Sequence, residues 1–181
     1  MKKDRNAKSE KTSVKFTSQF ALLWVALIWG WTFVLVKESL TEVGTFAFLF
    51  YRFTLALLLL LVIFGKRLRK IIKSEDDLLR IWGKGCIIGI ALFSGYFFQT
   101  LGLNYTTATN SAFITGLSVV LVPIIYAIIF RNPVTKNAWF GALLSVLGLS
   151  FIVFRSVNNL YSFNIGDLLT FFCAISFALH I

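Results

Sequence analysis

Gln99-Thr100-Leu101-Gly102-Leu103-Asn104-Tyr105-Thr106-Thr107-Ala108-Thr109-Asn110-Ser111-Ala112-Phe113-Ile114-Thr115-Gly116 is uncharged but densely polar, and long apolar runs precede and follow it. Its hydroxyls, amides and glycines stand where the neighbouring segments place Leu, Ile and Phe. In a bilayer such groups are tolerated where they face other helices or a wet cavity rather than lipid. The stretch therefore predicts a helical hairpin lining a solute pathway.

The surroundings support a membrane setting. Of 181 residues 57% are hydrophobic, and the mean hydropathy is +0.80; a soluble domain averages roughly 45–50% apolar residues. The expected fold class is all-α, a polytopic membrane helix bundle of five complete spans plus a partial sixth. The spans are about Ser18–Lys37, Gly44–Phe64, Gly85–Asn104, Ser111–Phe130 and Asn137–Phe154. Each is near the ~20 helical residues that a bilayer core requires. The sixth begins near Gly166 and reaches Ile181, 16 residues, or about 24 Å at ~1.5 Å per residue. The expectation is that the chain stops inside this helix. Residues 1–17 carry Lys2, Lys3, Arg5, Lys8, Lys11 and Lys15, and are expected to form a disordered cytoplasmic tail. The apolar run behind them ends in Lys37-Glu38 without a small-residue cleavage site, so it reads as an uncleaved span.

Charge gives the orientation. The tail, the 65–84 loop and the segment after span four together hold 15 of the 18 basic residues. The alternate loops hold Arg155 alone, while Lys37 and Arg52 fall within spans. This bias predicts a cytoplasmic N-terminus in the cell membrane, and it accounts for the net charge of +10 without nucleic acid as a partner. Glu75–Trp82 reads as a short interfacial helix. Five spans form an odd unit, so a second copy behind it would be inverted, and inverted repeats place the solute site between the halves. The domains are then a basic tail at 1–17, a five-helix repeat at 18–155, and an outer loop with the start of a sixth helix at 156–181.

Cys86 and Cys173 both lie in apolar segments, which gives no support to a disulfide or a zinc site; no metal or cofactor is implied. An intramembrane enzyme needs a nucleophile with its base, or paired acids, inside the spans. The sequence offers one terminal histidine and no second buried acid, so the reading is not an enzyme.

The candidate residues follow from helical spacing. Ser111, Thr115, Ser118, Val122 and Tyr126 share one stripe of span four. Tyr96, Gln99 and Leu103 share a face of span three, with Gly95 and Gly102 near it. Such groups either line a cavity or pack helices together. Gln99 and Asn110 are the costlier to bury. Arg52 lies in span two, either in an ion pair, with Glu38, Glu42 and Asp167 as candidate partners, or as a solute-facing cation. Lys37 reads as a snorkelling anchor. Asp167 opens the sixth segment, as a helix cap or as a coupling acid; His180 is the second possible coupling group. Trp29 and Trp31 lie deep beside Gly30 and are placed to shape a cavity. Gly85 and Gly89 form a small-xxx-small packing signal. Pro123 predicts a kink in span four, and Pro133 a break in the turn Arg131-Asn132-Pro133. Thr106, Thr107 and Thr109 read as turn residues in water.

At these residues the chain resembles the N-terminal half of the drug/metabolite transporter superfamily, EamA type. The pieces that carry the likeness are Trp29-Gly30-Trp31-Thr32-Phe33 with Lys37, Tyr51-Arg52-Phe53, Gln99-Thr100-Leu101-Gly102-Leu103 and Tyr105-Thr106-Thr107-Ala108. Asn110-Ser111-Ala112-Phe113-Ile114-Thr115-Gly116-Leu117 continues into Val122-Pro123. Gly141 with Gly148, Gly166-Asp167-Leu168-Leu169 and Phe177-Ala178-Leu179-His180 close it. Where the family often has a Glu nine residues before the span-five glycine, Asn132 stands here. The resemblance implies ten helices in two inverted repeats with both termini cytoplasmic. It also implies efflux or exchange of a small organic metabolite or drug through a central cavity by alternating access. The second repeat would belong to the same longer chain or to a partner chain; the alternative is a non-transporting half-transporter fragment or partner subunit. The substrate pathway is expected at Trp31, Arg52, Tyr96, Gln99, Asn110, Thr115 and Ser118, with Asp167 and His180 as possible coupling groups.

Overall fold

The computed structural model describes residues 2–74, 78–131, 134–154 and 164–181, and among them every regular element is a helix. The first helix, α1, runs from Lys2–Glu42. The basic tail, expected to be disordered, is thus helical and continuous with the first span. Residues 2–17 are mostly good or fair helix formers with no Gly or Pro, and a helix already nucleated by the span extends without a second nucleation cost.

Next, α2 spans Thr45–Ser74, 30 residues. At ~1.5 Å per residue it is about 45 Å long, more than the ~30 Å of a bilayer core. Its last turns, with Lys66, Arg67, Arg69 and Lys70 exposed, are where the excess length falls. Then come α3 at Leu78–Leu103 and α4 at Ala108–Gly116. The chain continues through α5 at Ser118–Phe130, α6 at Lys136–Phe154 and α7 at Ile165–His180. Among the described residues four segments are long and apolar enough to cross a membrane, Ser18–Glu42, Thr45–Ile72, Leu78–Leu103 and Ala108–Ile129, where five complete spans were expected; Ile165–His180 is a shorter apolar helix.

The fourth span is one crossing built of two pieces. Its discontinuity lies at Leu117, not at Pro123, which sits inside α5. Gly116 is a poor helix former. Around it Leu117 N–H donates to Ile114 O at 3.1 Å and Val120 N–H to Leu117 O at 2.9 Å, the tighter i to i−3 pattern of a 3₁₀ turn. At the other end of α5, Arg131 takes a left-handed conformation with φ 51°. Asn132 and Pro133, the opening Glu75-Asp76-Asp77 of the expected interfacial helix and most of the loop after Phe154 lie outside the described residues.

The packed centre is α7, which contacts α3, α4 and α5. Its buried residues are Gly166, Thr170, Cys173, Ala174 and Ala178, all small. Small faces let backbones approach closely, which is how helices associate where lipid removes the hydrophobic drive between them. Large apolar side chains of α1 and α2, including Leu22, Trp29, Leu58 and Val62, point outward, as a lipid-facing surface requires and a water-facing one does not.

Candidate functional site

The site is built from two matching rows of residues. On α3 and the turn after it, Gly95, Gln99, Gly102 and Thr106 recur at helical spacing; on α7, Gly166, Thr170, Cys173 and Phe177 do the same. The helices are antiparallel, and the rows meet in register. Phe177 fills the space beside Gly95, where an added Cβ would collide with its ring. At the other end, Gly102 lies against Gly166 and Thr170.

Between these ends sits a buried polar column. Gln99 Nε2 donates to Thr115 Oγ1 at 3.5 Å, and Thr115 Oγ1 lies 3.8 Å from Cys173 Sγ. One turn along, Ser111 Oγ is 3.5 Å from Thr170 Oγ1, which donates to Gly166 O at 2.8 Å. The contacts between helices are long, so across the column the groups are loosely satisfied rather than locked. The stripe expected on span four is therefore present over Ser111 and Thr115, and it faces α3 and α7. Ser118 is half-buried just past the 117 discontinuity, and Tyr126 is exposed.

A second cluster flanks the column. The Arg52 guanidinium stands over the Tyr96 ring, 4.1 Å from its centroid. Tyr96 meets Phe177 edge-on at 5.2 Å and Phe53 at 5.8 Å, so aromatic contacts from α2 and α7 fix the ring. The acids named as partners for Arg52 are not used: among the described residues none of Glu38, Glu42 or Asp167 pairs with it.

The third cluster closes one end. Asn164 caps α7, its Oδ1 accepting from Asp167 N–H at 3.0 Å. The cap is thus Asn164, and Asp167 is left to accept from the Thr106 hydroxyl at 2.5 Å. Lys37 Nζ donates to Leu103 O, and to Thr106 O at 3.0 Å. Lys37 is therefore not a snorkelling anchor; its ammonium caps the carbonyl end of α3, where a cation is favoured by the helix dipole. Thr106, expected in water, is buried at 4% exposure. Of its neighbours, Thr107 caps α4, its Oγ1 accepting from Asn110 N–H at 3.1 Å.

The other candidates are not drawn in. Trp31 is 67% exposed on α1, and Trp29 65%. A cleft of about 280 Å³ does open beside them, but Gly30, Phe33 and Val34 line it with Ala108, Thr109, Ala112 and Phe113. Asn110 is half-buried at the start of α4, beyond the column. His180 Nδ1 lies 3.3 Å from Ile88 O at the far end of α7. The residues that sequence reasoning missed are Asn164 and Thr170. An Asn three residues before an acid at a helix start signals the first; the Gly166 to Phe177 spacing signals the second.

Comparison with known proteins places this geometry in context. The profile of the EamA-like transporter family matches residues 17–154. An uncharacterized transporter of Archaeoglobus fulgidus is 41% identical over 164 residues, covering 91% of this chain and 47% of the relative. The uncharacterized transporter YyaM of Bacillus subtilis is 29% identical over 165 residues, covering 88% of this chain and 52% of YyaM. The chain thus spans about half the length of the curated relatives it matches. No solved structure matches it.

Proposed function

The chain belongs to the EamA-like transporter family, and from that premise we propose that it carries a small organic solute across the cell membrane by alternating access, as efflux or exchange. It is a multi-pass membrane protein, and a transporter rather than an enzyme is what its family and relatives indicate. The observation that carries the reading is the polar column of Gln99, Thr115, Ser111 and Thr170, set among apolar helices and flanked by Arg52 on Tyr96. A charge such as Arg52 inside a membrane marks a functional site by default, and the long Gln99–Thr115 and Ser111–Thr170 contacts leave hydrogen-bonding capacity for a solute. Trp31, Asn110 and Ser118 are the further residues of the proposed pathway, and Asp167 and His180 are its coupling candidates.

In this reading α6 is the fifth span and α7 opens a second, inverted repeat, so that the pathway lies between two halves. The N-terminus is cytoplasmic, as the basic bias directs. Arg52→Ala and Gln99→Ala in the intact protein are expected to lower solute flux in reconstituted vesicles while membrane insertion stays unchanged. Unchanged flux in both variants removes these residues from the pathway.

A further inference from the structure

Arg52 lies on the apolar span Thr45–Ile72, seven residues past its start, about 10 Å along the helix at ~1.5 Å per residue. A guanidinium does not shed its proton to escape burial, so at this depth it needs an opposite charge or a wet cavity. The Tyr96 ring takes one face of it, at 4.1 Å. A ring under the guanidinium carbon accepts through its π face, and the N–H fork is the edge shaped for two carboxylate oxygens. Among the described residues the ring is the partner that meets it, and no acid does. The one acid at the α7 start, Asp167, is already engaged by Thr106. Tyr96 itself is held between Phe53 and Phe177, so the cation sits on a fixed platform one helical turn from Gln99.

We propose that Arg52, held over the Tyr96 ring, recognises an anionic oxygen group of the solute, and that the solute class is an organic carboxylate. The proposal rests on the solute-pathway reading above. The carboxylate supplies the missing counter-charge, and its body extends toward the amide of Gln99 and the hydroxyl of Thr115.

The test is equilibrium binding to the intact protein in a non-ionic maltoside detergent, which offers no lipid phosphate to compete. The probes are acetate, butyrate, hexanoate, benzoate and glutarate, each against its primary amide. At least one acid should bind about tenfold or more tightly than its amide, the scale of a hydrogen-bonded charge. Arg52→Gln should remove that preference, Arg52→Lys should keep a reduced one, and Tyr96→Leu should weaken it. Should Arg52→Gln fail to elute as a monodisperse protein, the Lys and Leu variants decide. Equal binding of acids and amides, no binding by any pair, or a preference that survives loss of the guanidinium overturns the proposal. Flux of the same probes into vesicles separates the two readings. Protein-dependent flux of amides equal to that of acids leaves the pathway standing and the anion site refuted. Arg52-dependent binding of an acid without flux leaves the anion site standing and the transport reading refuted.

Discussion

Gly102 of α3 and Gly166 of α7 lie backbone to backbone: a Cβ on Gly166 would come within 2.7 Å of Gly102 O, and one on Gly102 within 2.8 Å of Gly166 O. Neither atom can swing aside as a side-chain tip does, so any larger residue pushes the two helices apart. Gly166→Val is expected to lower stability by ~1–3 kcal/mol, the usual cost of overpacking, read as a reduced unfolding midpoint in detergent. Gly89, by contrast, has open space around its Cβ position. Gly89→Ala should therefore leave the midpoint unchanged or raise it, since Ala favours helix over Gly by ~1 kcal/mol. An equal loss in both variants would contradict the α3–α7 crossing.

Thr106 joins two oppositely charged residues, its hydroxyl donating to Asp167 at 2.5 Å and its carbonyl accepting from Lys37 at 3.0 Å. Thr106→Val keeps the shape and removes the hydroxyl. It should cost ~1.5–3 kcal/mol, the range for a hydrogen bond to a charged group, whereas Thr106→Ser should recover most of it. Lys37→Met should be destabilising as well, because it leaves Leu103 O and Thr106 O without their cation. Thermal unfolding of the three variants in one detergent checks this, and a neutral Thr106→Val would show that the bond carries no weight.

Much of this was legible in the sequence, for reasons that differ between residues. The all-helical fold and the hairpin between α3 and α4 follow from apolar runs broken by an uncharged polar stretch. The stripe of Ser111 and Thr115 follows from helical period. What periodicity does not report is which helix a stripe faces. The polar face of span four meets α7, a segment too short and distant in sequence to be paired by pattern alone. The same blindness explains Lys37 and Thr106. A lysine at a span end and a threonine in a turn look solvated locally, and only the folding of α1 and α7 around that turn buries them. Gly85 and Gly89 carried a packing signal in the sequence, yet no described residue approaches them. Gly95, Gly102 and Gly166 make the close contacts instead. Small residues mark possible approach, and the partner's position decides where it occurs.

The proposed orientation puts the tail and the α3–α4 turn on opposite sides of the membrane. Thr107 is exposed in that turn. In a background lacking Cys86, Thr107→Cys should react with a membrane-impermeant maleimide added to intact cells, and Ser9→Cys should react only after permeabilisation. Labelling of both from outside, or the reverse pattern, would overturn a cytoplasmic N-terminus. The positive bias predicts the first outcome because basic loops resist translocation.

Cys173 offers a direct readout of α7. It is fully buried, at 0% exposure, with Thr115 against its sulfur, whereas Cys86 is exposed on α3. In a Cys86→Ser background a small thiol-reactive fluorophore should therefore label the folded protein very slowly, and the labelling rate should rise only when α7 leaves its place between α3 and α4. Heating gives a midpoint for that release. Gly166→Val weakens the crossing next to Thr170 and should lower this midpoint together with the global one, because α7 touches every helix of the packed centre. Gly89→Ala, on the open part of α3, should not. A Cys173 that labels at ambient temperature as fast as Cys86 would place α7 outside the bundle, and with it would go the buried polar column on which the proposed solute pathway depends.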